Sequence, residues 1–384
     1  MAAGIYIHIP FCKQKCLYCD FVSACGSEKD MHRYQIALLN EIESTVINQT
    51  VDSVFFGGGT PSLYPKEYIG EIMYLLRQKN VLSKKIECTI EANPGTLSYD
   101  KLCYYKSVGI NRISIGLQSA NDNELKVLGR IHTFNEFVES FENARKAGFE
   151  NINIDLMSAI PTQTFESYVQ TLKKVVELNP EHISAYSLII EEGTPFYDKY
   201  YGDDEFEKLL PDEDTEREMY HYTKEFLIKN GYSRYEISNY SKKGYECKHN
   251  LKYWERVNYY GFGVAAASLV NDVRYLNTNK RKDYIENNGE IEKIRVEENI
   301  LSVDEQIEEF MFLGLRKTKG IYIEEFRNNF GKNIYDVYGE VIKKHIDNGL
   351  LKEKDKRIFL TDKGLDISNF VMSEFVAYPP NRFE

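Results

Sequence analysis

Six short segments rich in β-branched residues alternate with helix-length segments along the first half of the chain. The strand-like segments are residues 4–9, 53–56, 87–92, 112–117, 152–156 and 183–188. Helical patterns, such as those over residues 33–47, 134–147 and 164–177, lie between them. This alternation is typical of βα units around a parallel sheet. The sequence therefore predicts an α/β fold built on a partial (β/α)6 barrel, about three-quarters of the eight units of a full barrel.

Polar or glycine-rich residues stand at the end of each of the first five strand-like segments. They are, in order, a cysteine loop at residues 12–19, the run Gly57-Gly58-Gly59-Thr60-Pro61, Glu91, Gln118 and Asp155. Parallel sheets and barrels bind ligands at the carboxyl ends of their strands. We therefore expect these residues to meet at one rim of the barrel and to form a single site there.

The loop carries three cysteines, Cys12, Cys16 and Cys19, at C-x3-C-x2-C spacing. Three such thiolates can ligate three irons of a 4Fe–4S cluster and leave the fourth iron open to an exchangeable ligand. A zinc site would need a fourth ligand; His8 is a candidate, but no second C-x-x-C follows. We favour the cluster over zinc, and zinc over three unrelated thiols.

With Tyr18 before its last cysteine, the loop resembles that of the radical S-adenosylmethionine (SAM) superfamily, in which SAM chelates the open iron and an electron from the cluster cleaves it. The rest of the chain resembles the coproporphyrinogen oxidase-like branch, at residues 91–95, 112–119, 128–132 and 153–157. By this resemblance, seven residues contact SAM or a second SAM-like ligand: Tyr6, Gly59, Thr60, Glu91, Gln118, Arg130 and Asp155. Carboxylates suit ribose hydroxyls and a sulfonium charge, and an arginine suits a carboxylate.

Two groups of this branch differ in activity. One is the oxygen-independent coproporphyrinogen III oxidase, which decarboxylates propionate side chains, and the other comprises haem chaperones. The oxidase pattern has a further cysteine where this chain has Phe21. The oxidase also resembles a protein with a long N-terminal extension, whereas eleven residues precede Cys12 here. Both differences favour the haem chaperones.

The segment His249-Asn250-Leu251-Lys252-Tyr253-Trp254 matches an H-N-x-x-Y-W signature of the haem chaperones. Because a neutral imidazole is a usual axial ligand of haem iron, His249 is a candidate haem ligand. The alternative is a hydrogen-bonded histidine between two domains.

The resemblance implies a protein that binds haem, a 4Fe–4S cluster and SAM and transfers haem to an acceptor protein. The acceptor, the electron donor, the role of SAM cleavage and any enzymatic turnover stay open.

At 384 residues the chain exceeds the usual size of one domain, about 250–300 residues. We predict a barrel over residues 1–200, a connector with the H-N-x-x-Y-W segment over residues 201–300, and a small C-terminal domain over residues 301–384. The last region shows helical patterns followed by a hairpin, which predicts a winged-helix-like α+β fold. In this family the domain looks like a lid over the barrel mouth.

The charge balance argues against nucleic acid as the main partner, although a winged helix can bind DNA. The chain has a net charge of −11 and a pI near 5.4, whereas phosphate binding needs clustered Lys and Arg.

No apolar run approaches the roughly 20 residues that cross a bilayer, and no leader pattern is present. Seven cysteines, an odd number, do not suggest a disulfide framework. We therefore predict a cytoplasmic protein without stable membrane insertion.

Overall fold

The computed structural model describes residues 1–201 and 204–376. Strands and helices alternate in the first half of the chain, as predicted. The strands there are β1 (Ala3–Ile9), β2 (Val51–Gly58), β3 (Leu82–Ala92), β4 (Arg112–Gln118), β5 (Ile152–Ser158) and β6 (His182–Ser187). The helices are α1 (Glu28–Ser44), α2 (Lys66–Gln78), α3 (Tyr99–Ser107), α4 (Asp122–Val127), α5 (Phe134–Lys146) and α6 (Phe165–Glu177). The six predicted strands are confirmed, and several are longer than predicted.

These six strands pair in parallel and in chain order, from β1 to β6. Most of their residues are buried, because helices cover the outer face while the barrel interior covers the inner face. Polar side chains cap several of the covering helices: the N-cap residues of α1, α5 and α6 are Ser27, Thr133 and Thr164. Because all six strands run in one direction, their carboxyl ends share one rim. The predicted partial barrel is confirmed.

The region after residue 187 adds strands to both edges of the same sheet, which we did not predict. Its elements are α7 (Pro195–Tyr200), α8 (Asp204–Glu207), α9 (Glu213–Lys229), β7 (Ser233–Arg234), β8 (Asn239–Ser241), α10 (Lys248–Trp254), β9 (Tyr259–Phe262), β10 (Ala267–Val270), β11 (Val273–Asn277), α11 (Arg281–Glu286), α12 (Ile291–Ile294) and β12 (Arg295–Ile300). Strand β9 pairs with β1 and leads outward through β10 and β11 to β12, while β8 and β7 extend the edge at β6. Strands β7 to β10 contain at most four residues, too few to show a two-residue period in the sequence, and the longer β11 and β12 are mostly half-buried or exposed and so lack a buried apolar alternation.

The C-terminal region has a small sheet and a hydrophobic core of its own. Its elements are α13 (Val303–Leu315), β13 (Ile321–Tyr322), α14 (Ile323–Phe330), α15 (Ile334–Asp347), β14 (Leu351–Lys354), β15 (Arg357–Leu360), α16 (Asp362–Asp366) and α17 (Ser368–Ser373). Strands β14 and β15 form the predicted hairpin, and a separate buried cluster runs from Ile307 to Phe375. The predicted domain limits at residues 200 and 300 stay predictions, and residues 202, 203 and 377–384 lie outside the described residues.

The C-terminal region packs at the amino end of the barrel strands, so its described residues do not form the expected lid over the carboxyl rim. The backbone N–H of Thr318 donates to the carbonyl of Tyr235 (3.0 Å), and the Tyr235 hydroxyl contacts His182, the first residue of β6. The guanidinium of Arg316 lies 4.3 Å from the centre of the Trp254 ring in α10. Within the part of the chain that the structure describes, no helix is both long and apolar enough to cross a membrane.

Candidate functional site

A cavity of about 350 Å³ opens at the carboxyl rim of the barrel. The three cysteines of the loop line it, and so do residues from the ends of β2, β3, β4 and β5. Six of the seven predicted SAM contacts lie in its wall: Gly59, Thr60, Glu91, Gln118, Arg130 and Asp155. No described residue after Tyr186 contributes to this wall. Side chains that the sequence placed on separate strands therefore meet in one cavity.

The glycine-rich end of β2 holds the cysteine loop through the backbone. The N–H of Gly59 donates to the carbonyl of Ile9 (2.9 Å), and the N–H of Thr60 donates to the carbonyl of Phe11 (2.8 Å). A Cβ on Gly59 would lie 2.8 Å from the Phe11 oxygen and 3.0 Å from Cys12 Sγ. Glycine is needed here because only a residue without a side chain allows this approach of two backbones.

The three free thiols of the loop are the donor set that a 4Fe–4S cluster takes at three of its irons. Among the described residues, no three His, Cys, Asp or Glu side chains lie close enough together to hold one ion. A cubane cluster of irons and sulfides keeps its thiolate ligands further apart than one ion does. His8 offers no fourth ligand, because its Nε2 donates to the carbonyl of Val22 (2.9 Å) and its Nδ1 accepts from the Tyr6 hydroxyl (3.1 Å).

Arg130 places a cation beside the cysteine loop. Its guanidinium donates to Asn93 Oδ1 (3.0 Å) and to the carbonyl of Gly116, and lies 3.5 Å from Cys16 Sγ. Its Nε is buried and has no hydrogen-bond partner among the described residues. A buried donor without a partner is costly, so the side chain is suited to an anionic ligand group such as the carboxylate of SAM.

Two carboxyl groups, those of Glu91 and Asp155, face the cavity. Burial, and then the charge of Asp155, raise the pKa of Glu91 to about 8, although the N–H of Gly58 donates to its Oε2 (3.2 Å). Burial also raises the pKa of Asp155, while hydrogen bonds from Asn153 Nδ2 (2.7 Å) and Ser114 Oγ (3.1 Å) oppose that shift. Two half-buried carboxyls suit a ligand that carries hydroxyls and a positive charge, as a sulfonium nucleoside does.

Gln118 lies in the cavity wall with a positive φ of 71°. This left-handed backbone conformation is uncommon for a residue other than glycine. It coincides with an irregularity in the pairing of β4 with β5 between Gly116 and Gln118. The strained end of β4 therefore turns the Gln118 side chain toward the cavity.

Tyr6 lies below the cavity and is not part of its wall. Its hydroxyl bonds to His8, and its ring centre lies 6.4 Å from that of His249 inside the barrel. A Cβ on Gly57 would meet the Tyr6 ring at 2.8 Å, so the tyrosine supports the strand that leads into the glycine-rich turn. Its predicted contact with SAM stays a prediction.

His249 lies at the amino end of the barrel, on α10, with 1% of its surface exposed. Its Nδ1 bonds to Ser53 Oγ (3.0 Å) and its Nε2 to the Tyr253 hydroxyl (2.9 Å), and burial lowers its pKa to about 3. Its surroundings match the alternative interpretation, a hydrogen-bonded histidine at a junction. Haem ligation by His249 stays a prediction, and it requires the hydrogen bond of the ligating nitrogen to break.

Several cavity residues were not predicted as site residues. Asn93 holds both Arg130 and Thr60, the latter through Nδ2 to Oγ1 (2.9 Å). Met157 and Tyr186 add apolar surface at the carboxyl ends of β5 and β6. Asn93 follows β3 directly, so extending the strand-end rule by two residues beyond Glu91 would have found it.

Two family models match the chain. The model of the radical SAM superfamily matches residues 6–175, and the model of the HemN C-terminal domain matches residues 301–367. The first covers the barrel up to α6 and contains all the cysteines of the loop. The second covers most of the described C-terminal region.

Comparisons with curated proteins and solved structures find relatives over almost the whole chain. The heme chaperone HemW of Lactococcus lactis is 38% identical over 371 residues, which cover 97% of this chain and 96% of the relative. HemW of Bacillus subtilis is 36% identical, with 97% and 98% covered. The solved structure of coproporphyrinogen III oxidase (HemN) from Escherichia coli, a radical SAM enzyme, has a TM-score of 0.86 and 24% identity, covering 98% of this chain and 91% of that one. This last likeness shows the fold.

Proposed function

The chain belongs to the radical SAM superfamily and, within it, to the family of the heme chaperone HemW, and on this basis we propose that it is a haem chaperone. It binds a 4Fe–4S cluster and SAM at the carboxyl rim, binds haem, and transfers the haem to an acceptor protein. The observation that supports this most is that the cavity gathers the three cysteines and six candidate SAM contacts into one wall.

Six residues of the cavity wall have distinct roles in this proposal. Cys12, Cys16 and Cys19 hold the cluster, and Arg130 binds the carboxylate of SAM through its guanidinium. Glu91 and Asp155 face the ribose hydroxyls and the sulfonium charge. The cluster and SAM, when bound, supply reductive cleavage of a carbon–sulfur bond. The residues of the chain orient SAM in the cavity.

Aromatic surface at the cavity mouth supports the binding of a planar, apolar ligand. The side chains of Phe21 and Tyr186 line the cavity, yet they are 61% and 40% exposed. Large apolar groups left in water at the rim of a cavity often mark a binding surface. We therefore place haem contact at this rim first, ahead of the buried His249.

The test is a haemin titration of anaerobically reconstituted protein, followed by the Soret band. We expect saturable binding by the parent and weaker binding by Phe21→Ser, because the variant loses rim surface. Tyr74→Ser removes an aromatic residue that is 63% exposed on α2, away from the cavity, and serves as the control. Equal affinities of the two variants would contradict the placement at the rim, and no saturable binding by the parent would contradict the chaperone proposal.

His249→Ala separates the two candidate haem sites. We expect the variant to unfold at lower temperature but to bind haem with unchanged affinity per folded molecule, because its ring is already hydrogen-bonded on both nitrogens. A folded variant that has lost the Soret band would instead show that α10 opens to ligate haem.

Coproporphyrinogen III oxidase activity is the second candidate function, supported by the fold match alone. The same protein, reduced and supplied with SAM and coproporphyrinogen III, decides between the two. We expect no conversion of propionates to vinyl groups. Sustained conversion with matching SAM consumption would make the protein the oxidase.

A further inference from the structure

A chain of buried hydrogen bonds crosses the barrel from the cavity to the start of α10. At the cavity end, Asn153 Nδ2 donates to Asp155 Oδ1 (2.7 Å). Asn153 Oδ1 meets His182 Nδ1 (2.5 Å), and His182 Nε2 meets the Tyr235 hydroxyl (2.8 Å). At the far end, the N–H of Cys247, the residue before α10, donates to that hydroxyl (3.3 Å).

All the hydrogen bonds in this series donate in the same direction, from Cys247 toward Asp155. An ionised Asp155 can only accept, so the amide nitrogen of Asn153 must face it and the amide oxygen must face His182. His182 therefore carries its proton on Nδ1, and its Nε2 accepts from the Tyr235 hydroxyl. The second hydrogen of Asn153 Nδ2 goes to Ser114 Oγ (2.7 Å), which in turn donates to Asp155.

Burial keeps His182 and Tyr235 in the protonation states that this direction of donation requires. The side chains of Asn153, His182 and Tyr235 are 2%, 0% and 9% exposed. Burial, and then the charge of Arg112, hold the pKa of His182 well below its usual range, so the ring stays neutral. Burial also keeps the pKa of Tyr235 well above its usual range, so its hydroxyl keeps the proton that it donates.

We propose that Tyr235 and His182 are positioning residues for Asp155, and that through them the start of α10 is coupled to the SAM cavity. The inference rests on the proposed role of Asp155 in binding SAM. If His182 loses its tautomer, the Asn153 amide oxygen keeps only the donor Ser184 Oγ (3.2 Å), so the amide rotates more easily and its oxygen can then face the carboxylate. That repulsion turns Asp155 away or favours its protonated form, and both outcomes weaken its hold on SAM.

The first test compares two tyrosines that each lose one buried, hydrogen-bonded hydroxyl. Tyr235→Phe interrupts the series of hydrogen bonds that ends at Asp155. Tyr232→Phe removes a hydroxyl that donates to the carbonyl of Pro180 (2.8 Å) and has no hydrogen-bond connection to Asp155 through the described residues. Both variants are reconstituted with the cluster, and SAM affinity and thermal stability are measured. We expect similar losses of stability, but SAM affinity about three- to tenfold weaker only in Tyr235→Phe, the range that one lost hydrogen bond produces.

The second test replaces His182, because a purely structural role would depend on its volume. Asparagine places an N–H donor near the position of Nδ1 and preserves donation to Asn153, whereas leucine fills the space without a donor. We expect His182→Asn to bind SAM within about twofold of the parent and His182→Leu to bind it at least as weakly as Tyr235→Phe. Equal SAM affinity of the asparagine and leucine variants would overturn the proposal.

The outcomes separate this inference from the function on which it rests. A parent with a full cluster spectrum and no SAM binding would contradict the proposed SAM site, and the positioning role with it. A parent that binds SAM, together with Tyr235→Phe and Tyr232→Phe variants of equal affinity, would overturn the positioning role alone. SAM affinity lost selectively in Tyr235→Phe, with the cluster intact, would support it.

Discussion

Individual side chains in the cavity are held in place by contacts that leave little room for change. Arg130 is the clearest example, because its guanidinium reaches over Gly116 to lie beside Cys16. Glu91 is another, since it is a half-buried carboxyl next to a second carboxyl. Substitutions at these positions therefore test the site one contact at a time.

Gly116→Ala tests the position of Arg130. The added Cβ would lie 2.8 Å from Arg130 Nη2 and 3.3 Å from Asn93 Oδ1, so the ends of these side chains must move. We expect SAM affinity to fall about tenfold, the loss of one charge-assisted hydrogen bond, while the cluster absorption persists. Gly339→Ala in α15, where the nearest atom outside the helix backbone is 3.8 Å away, is the matched control. An unchanged SAM affinity in Gly116→Ala would contradict this role of Arg130.

The raised pKa of Glu91 predicts a specific dependence of stability on pH. Its pKa is raised from 4.5 to about 8, so between these values the folded protein keeps a proton that the unfolded chain has released. Stability contributed by this group therefore falls as pH rises, by up to about 1.4 kcal/mol per pH unit. Urea unfolding of the apoprotein from pH 5 to pH 9 measures this slope. We expect the free energy of unfolding to change less with pH in Glu91→Gln than in the parent. Parallel curves for the two proteins would show that Glu91 titrates normally.

At the scale of elements, short connections decide where the cysteine loop lies. The turn after β2 clamps the loop through two backbone hydrogen bonds, and on the opposite side the N–H of Leu17 donates to the carbonyl of Leu128 (3.1 Å). At the other end of the barrel, α10 covers the starts of β1 and β2, where Lys252 pairs with Asp52 (2.5 Å). The carboxyl end of the barrel thus forms the candidate ligand site, whereas α10 closes the amino end.

Gly59→Ala tests the clamp between the turn and the loop. Its Cβ would meet backbone atoms of Phe11, which cannot rotate away as the end of a long side chain can. We expect the iron and sulfide content after reconstitution to fall to less than half that of the parent, because Cys12 is displaced. Cys25→Ala is the control, since its thiol is exposed and bonds to the carbonyl of Lys13 (3.2 Å) outside the cavity. Full cluster loading of Gly59→Ala would show that the loop adapts.

At the scale of the whole molecule, the two largest hydrophobic cores of the described residues are joined by a cluster of ion pairs. One core lies in the barrel and the other in the C-terminal region. Between them, Glu309 of α13 accepts from Arg256 Nε (2.8 Å) and from Arg274 Nη2 (2.6 Å), and Arg256 also pairs with Asp272 (3.0 Å). The side chains of Arg256 and Glu309 are 9% and 10% exposed, so this is a largely buried junction.

Glu309→Gln removes the charge at the centre of this junction. We expect a loss of about 2 kcal/mol in urea unfolding, because Arg256 stays buried without its main counter-ion. The cluster absorption is expected to persist, since no described residue of the C-terminal region lines the cavity. Glu324→Gln breaks an exposed pair with Lys356 and is expected to change little. Loss of the cluster in Glu309→Gln would mean that the junction supports the rim as well.

The sequence, together with the family resemblance, predicted the βα framework, the cysteine loop and nine of the twenty residues that line the cavity. Strands β1 to β6 each have at least six residues, most of them buried, and so show their pattern locally. A residue at the end of a parallel strand has its position set by the direction of that strand. Glu91, Gln118 and Asp155 were found in this way. The resemblance to a known family then identified Arg130, which lies on a loop where periodicity carries no information.

Only the tertiary structure decided how residues far apart in the sequence meet. His182 and Tyr235 are 53 residues apart, and no local pattern relates them. The same holds for His249, whose burial against Ser53 depends on α10 closing the amino end of the barrel. Local preference determines which elements form, whereas long-range packing decides which polar groups are buried together. For this reason the sequence located the ligand site but not the hydrogen bonds behind it.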